Sequence, residues 1–292
     1  MNEFANYHPS VVFIYFLSAF LITCAHLNPI SVSIAFFAAF SYCAFVKGRK
    51  AFYKNVVLMP LFLCVMAFIN PAFNHRGVTI LAYLPSGNPL TLESICFGFI
   101  AAGMVLSVML YFSCFNEIMT SDKIIYIFGK ILPSLSLIFS MTLRIVPKFN
   151  ERIKAVSRAQ KCIGKGTSCG GIVKRIKSGL AILSIMITWS MENAIETADS
   201  MKSRGFGTAK RTAFSIYHFT KRDKKALFFI CILGVYVILG GGMGVFNFTC
   251  FPYVKMAKIT PYAISVYAAE FVLLITPIII EVTELIKWKC IN

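Results

Sequence analysis

Residues 94–115 read SICFGFIAAGMVLSVMLYFSCF, a run of 22 residues without a charged side chain. An α-helix needs about 20 apolar residues to cross the roughly 30 Å hydrocarbon core of a bilayer. The run does not alternate between apolar and polar positions, as the strands of a membrane β-barrel do. It therefore predicts a transmembrane helix, and with it an integral membrane protein.

Five more apolar blocks flank this run. Together they predict an all-α polytopic membrane protein with about six transmembrane helices, and a strict hydropathy count allows up to eight. No Lys or Arg precedes the first block and no small-residue cleavage site follows it, so we interpret it as a retained span rather than a signal peptide. The third block is short and contains Pro60. The six predicted spans are residues 11–27, 30–46, 56–69, 94–115, 226–246 and 260–286.

The positive charge of the chain is concentrated in its middle. The net charge is +17, and residues 116–225 hold 20 of the 29 Lys and Arg residues but only 7 of the 12 acidic residues. Basic loops stay on the cytoplasmic side of membranes, which explains the charge without nucleic acid as a partner. The chain therefore divides into a four-span bundle (1–115), a cytoplasmic region of amphipathic coupling helices (116–225) and a two-span bundle (226–292). Within the middle region, the apolar stretches 124–139 and 180–189 are candidates for helices that enter the membrane. Both termini are expected in the cytoplasm.

Glu270 is the clearest charge inside a predicted span. An intramembrane carboxylate is costly and is by default a candidate functional group, here a proton or cation site. Its position among Tyr262 and Tyr267 favours another interpretation, in which the side chain reaches the membrane interface. A stand-alone secondary transporter or channel would use Glu270 and the glycines near Gly240 as parts of its pathway. That function is kept as an alternative.

The sequence contains no pattern that predicts a bound cofactor, a metal or a catalytic site. Ten cysteines are present, but no pair has CxxC spacing, and most lie in apolar blocks, where Cys behaves as a small hydrophobe. Walker A, HExxH and GxSxG sequences are absent, as is a candidate pair of nucleophile and base. A membrane-embedded enzyme is therefore the least favoured class.

Residues 178–206, SGLAILSIMITWSMENAIETADSMKSRGF, predict an amphipathic helix. Gly205 is placed to end it, because glycine adopts the left-handed conformation after a last helical turn without a steric penalty. Arg204 then lies at a helix end that carries partial negative charge, where its guanidinium either caps the helix or pairs with a carboxylate of another protein. A second, basic helix is predicted over residues 150–161, with Pro147 in its first turn or at a kink and Gly164 at its end.

Three short runs within residues 140–207 resemble the transmembrane T component of energy-coupling factor (ECF) transporters, a family that includes the CbiQ type. They are Leu143-Arg144-Ile145-Val146-Pro147, Ala159-Gln160-Lys161 and, the most specific, Ala198-Asp199-Ser200-Met201-Lys202-Ser203-Arg204-Gly205-Phe206-Gly207. The resemblance implies a non-enzymatic scaffold that links two cytoplasmic ABC-type ATPase subunits to a substrate-binding membrane protein, the S component. ATP is then bound by the ATPases and not by this chain, and the transported solute is a vitamin or a metal ion.

The resemblance also implies which residues bind the ATPases. In the family, two coupling helices each end in an Ala-Arg-Gly-like motif whose arginine docks in a groove of an ATPase subunit. Ser203-Arg204-Gly205 matches the second motif. At the first motif, Lys161 is followed by Cys162-Ile163-Gly164, so that Ile163 stands where the arginine is expected. The first docking contact is then apolar or made by a neighbouring cation. The Asp-Pro-Arg-like sequence near the N-terminus of the family is replaced here by His8-Pro9-Ser10.

Overall fold

Helices dominate the computed structural model, which describes residues 3–74, 77–83, 89–166, 171–208 and 217–291. After a short 3-10 helix at Glu3–Asn6, the α-helices are α1 (Pro9–Ala25), α2 (Pro29–Phe73), α3 (Leu92–Ile118), α4 (Ser121–Ile131), α5 (Pro133–Cys162), α6 (Ile172–Ser203), α7 (Lys221–Gly242) and α8 (Pro261–Ile291). Two antiparallel hairpins pair β1 (Ile80–Tyr83) with β2 (Pro89–Thr91) and β3 (Phe248–Thr249) with β4 (Lys255–Met256). The prediction of an all-α polytopic membrane protein is confirmed.

The helices belong to two compact units. Unit 1 consists of Met1–Ile124 and Tyr217–Asn292, and unit 2 consists of Ile125–Ile216. The four long apolar helical segments lie in unit 1, whereas α5 and α6 account for most of unit 2. The division of the chain at residues 116 and 225, which rests on charge, stays a prediction.

Four helical segments in the described part of the chain are long and apolar enough to cross a bilayer. They coincide with the second, fourth, fifth and sixth predicted spans and are Pro29–Gly48, Leu92–Ile118, Lys221–Gly242 and Pro261–Lys287. The first predicted span is the shorter apolar helix Pro9–Ala25, and the third overlaps the apolar segment Leu63–Phe73. The orientation of these segments in the membrane stays a prediction.

The second and third predicted spans are the two halves of one interrupted helix, α2. The interruption is Gly48, whose φ of 69° and ψ of 176° are not helical. Only glycine adopts this backbone conformation readily, so a single residue separates the two halves of α2. Just before the break, Lys47 donates a hydrogen bond from Nζ to Ser113 Oγ of α3, which ties this end of the first half to its neighbour.

Glycines allow the helices of unit 1 to approach closely. A Cβ atom on Gly98 of α3 would lie 2.7 Å from the backbone oxygen of Ala67 in α2, and one on Gly240 of α7 would lie 2.6 Å from Val266 Cγ1 in α8. Small residues at helix contacts serve this purpose in membranes, where packing rather than hydrophobic burial drives helix association. The structure therefore gives Gly240 a packing role.

Glu270 lies inside the helix bundle of unit 1, so the expectation that it reaches the membrane interface is wrong. Its side chain is 0% exposed, and its Oε1 accepts a hydrogen bond from Ser31 Oγ of α2. The sequence did not reveal this because its span is apolar on all sides and no periodicity marks the inward face. Nearby on α8, the backbone oxygen of Leu274 accepts a hydrogen bond of 2.9 Å from Tyr15 OH of α1.

Unit 2 is built mainly from two long helices that contact each other. The apolar stretch 124–139 is not one helix, because α4 ends at Ile131 and α5 begins at Pro133. Pro147 lies inside α5, which is continuous around it, and not in a first turn. The ring centroids of Phe149 in α5 and Trp189 in α6 are 6.2 Å apart, and the Arg152 guanidinium lies 5.8 Å from the centre of the Trp189 ring.

Candidate partner-docking site

The C-terminal end of α6 has the geometry that the sequence predicts. Helix α6 ends at Ser203, Arg204 follows as the C-cap residue with φ −86° and ψ 8°, and Gly205 has a left-handed φ of 78°. The backbone N–H of Phe206 donates to the Met201 oxygen at 3.1 Å, and that of Gly205 donates to the Lys202 oxygen at 2.9 Å. These two bonds form a Schellman motif, which satisfies the last carbonyl groups of a helix.

The C-terminal end of α5 has the same geometry. Helix α5 ends at Cys162, Ile163 is the C-cap residue with φ −93° and ψ 18°, and Gly164 has a left-handed φ of 73°. The backbone N–H of Lys165 donates to the Gln160 oxygen at 2.9 Å, and that of Gly164 donates to the Lys161 oxygen at 3.1 Å. Ile163 is therefore the structural equivalent of Arg204.

Both C-cap side chains are exposed within unit 2. Ile163 is 63% exposed, a high value for a large apolar side chain, and Arg204 is also exposed. Among the described residues, the Arg204 guanidinium has no hydrogen-bond or ion-pair partner. Because backbone N–H groups already bind the carbonyls of Met201 and Lys202, the guanidinium is not needed to cap these two groups. An exposed cation and an exposed isoleucine thus stand at equivalent places.

The surroundings of the two ends differ in charge. At the α5 end, the exposed side chains of Arg158, Lys161 and Lys165 lie within five residues of Ile163 along the chain. At the α6 end, Arg204 and Lys202 are preceded by exposed acidic side chains on the earlier turns of the helix. These acidic residues are Glu192, Glu196 and Asp199. Cations are favourable near a helix C-terminus, whose carbonyl groups carry partial negative charge.

The cap geometry alone does not mark a docking site, because it occurs a third time in unit 1. After α7, Met243 is the C-cap residue and Gly244 has a φ of 81°. The backbone N–H of Val245 donates to the Gly240 oxygen at 3.2 Å, completing the same motif. This end follows a long apolar helix and has no basic side chain in its last turn. What distinguishes the ends in unit 2 is the basic, polar character of their final turns.

The structure gives no ground for placing a metal at either end. Within the described residues, no group of three or more His, Cys, Asp and Glu side chains is arranged to hold a metal ion. Cys162 is exposed beside Ile163, and Cys169, the nearest cysteine in sequence, lies outside the described residues.

Comparison with known proteins assigns the family. A family model described as "CbiQ: Cobalt transport protein" matches residues 4–216, which include both helix ends. This chain belongs to the CbiQ family. The resemblance seen in the sequence is therefore confirmed, and CbiQ membership together with the long apolar helices makes the chain a multi-pass membrane protein. Membership of a transport family is consistent with the expectation that the chain is not itself an enzyme.

Several curated relatives are transmembrane proteins EcfT of energy-coupling factor transporters. The protein from Lactobacillus helveticus (strain DPC 4571) is 32% identical over 118 residues, which are 40% of this CbiQ-family chain and 43% of the relative. The protein from Leuconostoc gelidum subsp. gasicomitatum is 32% identical over 111 residues, 38% of this chain and 41% of the relative. The protein from Bacillus selenitireducens is 24% identical over 247 residues, 80% of this chain and 90% of the relative. The chain thus spans about two fifths of the length of the first two relatives.

Asp223, at the start of α7, is one of several buried charged residues that sequence reasoning missed. Asp223 is 3% exposed and forms a capping box with Thr220, whose backbone N–H donates to Asp223 Oδ2 at 2.9 Å. A Thr followed three residues later by an acidic residue, just before an apolar run, is the sequence signal of this box. The pattern Thr220-Lys221-Arg222-Asp223 carries that signal, although four of residues 220–225 are basic.

Proposed function

We propose that this chain is the transmembrane coupling component of an energy-coupling factor transporter in the plasma membrane, with both termini and residues 116–225 on the cytoplasmic side. In this role it links ATP hydrolysis by two cytoplasmic ABC-type ATPase subunits to movement of a substrate-binding S component that carries a vitamin or a metal ion inward. The observation that carries the proposal is the pair of equivalent, exposed helix ends at Ile163 and Arg204.

The end at Arg204 is suited to an acidic groove on one ATPase subunit. Its guanidinium is exposed and unpaired among the described residues, and the Schellman motif fixes the backbone that bears it. A guanidinium forms bidentate, charge-assisted hydrogen bonds with a carboxylate, which are among the stronger polar contacts in proteins. Ser203 and Gly205 contribute to docking by setting the shape of the turn.

The end at Ile163 is suited to a different groove. Covering an exposed isoleucine stabilises a complex by about 25 cal/mol for each Å² of apolar surface removed from water. Lys161, Lys165 and Arg158 supply cations at the rim of the same contact. We therefore propose that the two ATPase subunits are unequal. One receives Arg204, and the other receives Ile163 with Lys161, Cys162 and Gly164.

The exposed apolar surface of α5 and α6 supports a further partner, the S component. Exposed apolar side chains recur along both helices even though the helices also contact each other. Examples are Leu143 (43% exposed), Val146 (49%), Leu183 (53%), Ile187 (53%), Met191 (64%) and Ile195 (63%). Large exposed apolar patches mark protein or membrane contacts.

Purification from the native membrane in mild detergent tests the proposal. We expect two different ATPase chains to co-purify with the full-length protein, and the preparation to hydrolyse ATP. A chain that purifies without ATPases, and that moves solute across proteoliposomes in the absence of ATP, is a stand-alone transporter and contradicts the proposal.

A further inference from the structure

The N-terminal residues of the chain are inserted into unit 1. Phe4 is 0% exposed, and its ring lies against those of Tyr7, Tyr15 and Tyr42 at centroid distances of 5.8, 5.4 and 6.4 Å. The backbone N–H of Phe4 donates to Oε1 of Glu281 in α8 at 3.3 Å. Both apolar and polar contacts therefore hold this segment in place.

The same N-terminal segment also contacts the residues just before the chain passes from unit 1 into unit 2. Lys123 lies on α4 just before Ile125, the first residue of unit 2. Its side chain is only 9% exposed, and Nζ donates to the backbone oxygens of Ala5 at 2.8 Å and Ile118 at 2.9 Å. A buried ammonium group that is bound to two carbonyls fixes the N-terminal segment, the end of α3 and the start of α4 to one another.

The N-terminal segment also contacts the residues at which the chain re-enters unit 1 after unit 2. The backbone N–H of His8 donates to Asp223 Oδ1 at 3.2 Å, and the His8 ring lies 4.7 Å from the ring of Phe219. The Arg222 guanidinium lies 4.2 Å from the centre of the Tyr7 ring, the geometry of a cation–π contact. Phe219, Arg222 and Asp223 lie shortly after Ile216, the last residue of unit 2.

We infer that residues 3–8 form a clasp that holds together the two connections of unit 2 to the membrane bundle, and that Phe4, Lys123 and Asp223 act as positioning residues in coupling. The inference rests on the proposed function for its second half, whereas the clasp itself stands on the contacts above. Since one short segment binds α4, α7 and α8, a displacement of either connection is transmitted to the other and, through Glu281, to α8. Without the clasp, a displacement of one connection would not be transmitted to the other.

Hydrogen exchange of the purified full-length chain tests the clasp by itself. In Phe4→Ala, backbone amides of residues 119–124 and 217–224 are expected to exchange at least about tenfold faster, while those in the middle of α3 are unchanged. Phe4→Leu, which keeps most of the apolar volume, serves as the milder variant if Phe4→Ala does not fold. Asn6→Ala is the matched control, because Asn6 is exposed and lies in the same segment. Unchanged exchange at both connections in Phe4→Ala and Phe4→Leu would overturn the inference.

Nucleotide response of the chain with its co-purified ATPases tests the coupling role. On addition of a non-hydrolysable ATP analogue, wild type and Asn6→Ala are expected to change their exchange in the first turn of α7 and around Glu281. In Phe4→Ala and Asp223→Asn this response is expected to fall at least about fivefold, with the amount of bound ATPase unchanged. A full response in variants whose connections exchange faster would refute the positioning role. If wild type retains no ATPase, the proposed function is contradicted. The clasp is still tested by hydrogen exchange of the purified chain.

Discussion

Ile163 and Arg204 occupy equivalent positions at the ends of two helices, each followed by a glycine in the left-handed conformation. The C-cap dihedral angles are φ −93° and ψ 18° at Ile163, and φ −86° and ψ 8° at Arg204. The backbone therefore repeats while the side chain changes from apolar to cationic. Unit 2 therefore has two exposed helix ends, here called tips, with the same backbone shape and different side-chain chemistry.

Replacing the terminal glycines is expected to loosen the tips. An L-residue in the left-handed conformation costs roughly 1–2 kcal/mol, so Gly164→Ala and Gly205→Ala should destabilise the two caps. Among the described residues, no contact within 4 Å is found for a Cβ built on Gly164, so the backbone conformation and not a clash is the cause there. We expect faster hydrogen exchange at the Lys165 and Phe206 amides and weaker ATPase co-purification.

Gly179→Ala is the control for the cap variants, and its effect should have the opposite sign. Gly179 lies inside α6, and in the described part of the chain a Cβ built there meets no atom within 4 Å. Alanine is favoured over glycine by about 0.8–1.0 kcal/mol in a helix interior, so this variant should slow exchange in α6. Slower or equal exchange at Phe206 in Gly205→Ala would show that the left-handed cap is not under strain from a side chain.

Reversing the charge at Arg204 is expected to remove one partner. Arg204→Glu should abolish co-purification of the ATPase subunit that receives this tip, because a carboxylate repels an acidic groove. Arg204→Lys should bind only in part, since an ammonium group cannot form the bidentate contact of a guanidinium. Protein yield in the membrane should not change, because the side chain is exposed. Unchanged assembly in Arg204→Glu would leave Arg204 without a docking role.

Ile163→Arg tests the other tip. Since Ile163 is 63% exposed, an arginine should fit without loss of folding and should weaken only the partner that needs an apolar contact. Quantitation of each co-purified ATPase by mass spectrometry distinguishes the two partners. A misfolded product would mean that Ile163 is covered by its own chain, and an unaffected ratio of the two ATPases would argue against unequal grooves.

Glu270 and Ser31 are expected to act as a polar contact between α8 and α2. Glu270→Gln keeps the size and an oxygen acceptor for the Ser31 hydroxyl, so it should change the unfolding free energy in detergent by less than about 1 kcal/mol. Glu270→Ala removes the acceptor and leaves a buried hydroxyl unpaired, at a cost of about 1–3 kcal/mol before any cavity is counted. In the Ser31→Ala background the extra cost of Glu270→Ala should shrink. A Glu270→Gln variant that folds normally yet loses transport would point to a proton or cation site instead.

The sequence was sufficient for features that depend on local pattern. Uncharged runs such as residues 94–115 predicted the long spans, and Gly205 predicted the end of α6 because its cap is made by neighbouring residues. Burial that depends on distant segments was not predictable. Phe4 binds Glu281, 277 residues away, and nothing in the composition of residues 3–8 marks that contact. Likewise, Gly48 interrupts α2 at a single residue, whereas the sequence predicted two separate spans at residues 30–46 and 56–69.

The stability of the protein is expected to depend on pH through Lys123. Burial lowers the pKa of Lys123, while the unfolded chain has the ordinary lysine pKa of about 10.4. Between the lowered folded pKa and the ordinary value, the unfolded state binds more protons than the folded state. The free energy of unfolding therefore rises with pH across that window, and below it the cost of burying the charge is present in full.

Lys123→Met should remove this rise with pH. It should also measure how much the two hydrogen bonds of Lys123 contribute to the free energy of unfolding. At neutral pH the variant avoids the cost of a buried charge but leaves the carbonyls of Ala5 and Ile118 without this donor, and we expect a net loss of about 1–3 kcal/mol. Lys287→Met is the control, since Lys287 forms an exposed ion pair with Glu284 at 3.1 Å that contributes little. Unfolding in detergent, followed from neutral pH to about pH 10, measures both effects. If the unfolding free energy instead falls over this pH range by the same amount in wild type and in Lys123→Met, Lys123 does not titrate as a buried group. Its two hydrogen bonds would then hold the clasp without a charge penalty.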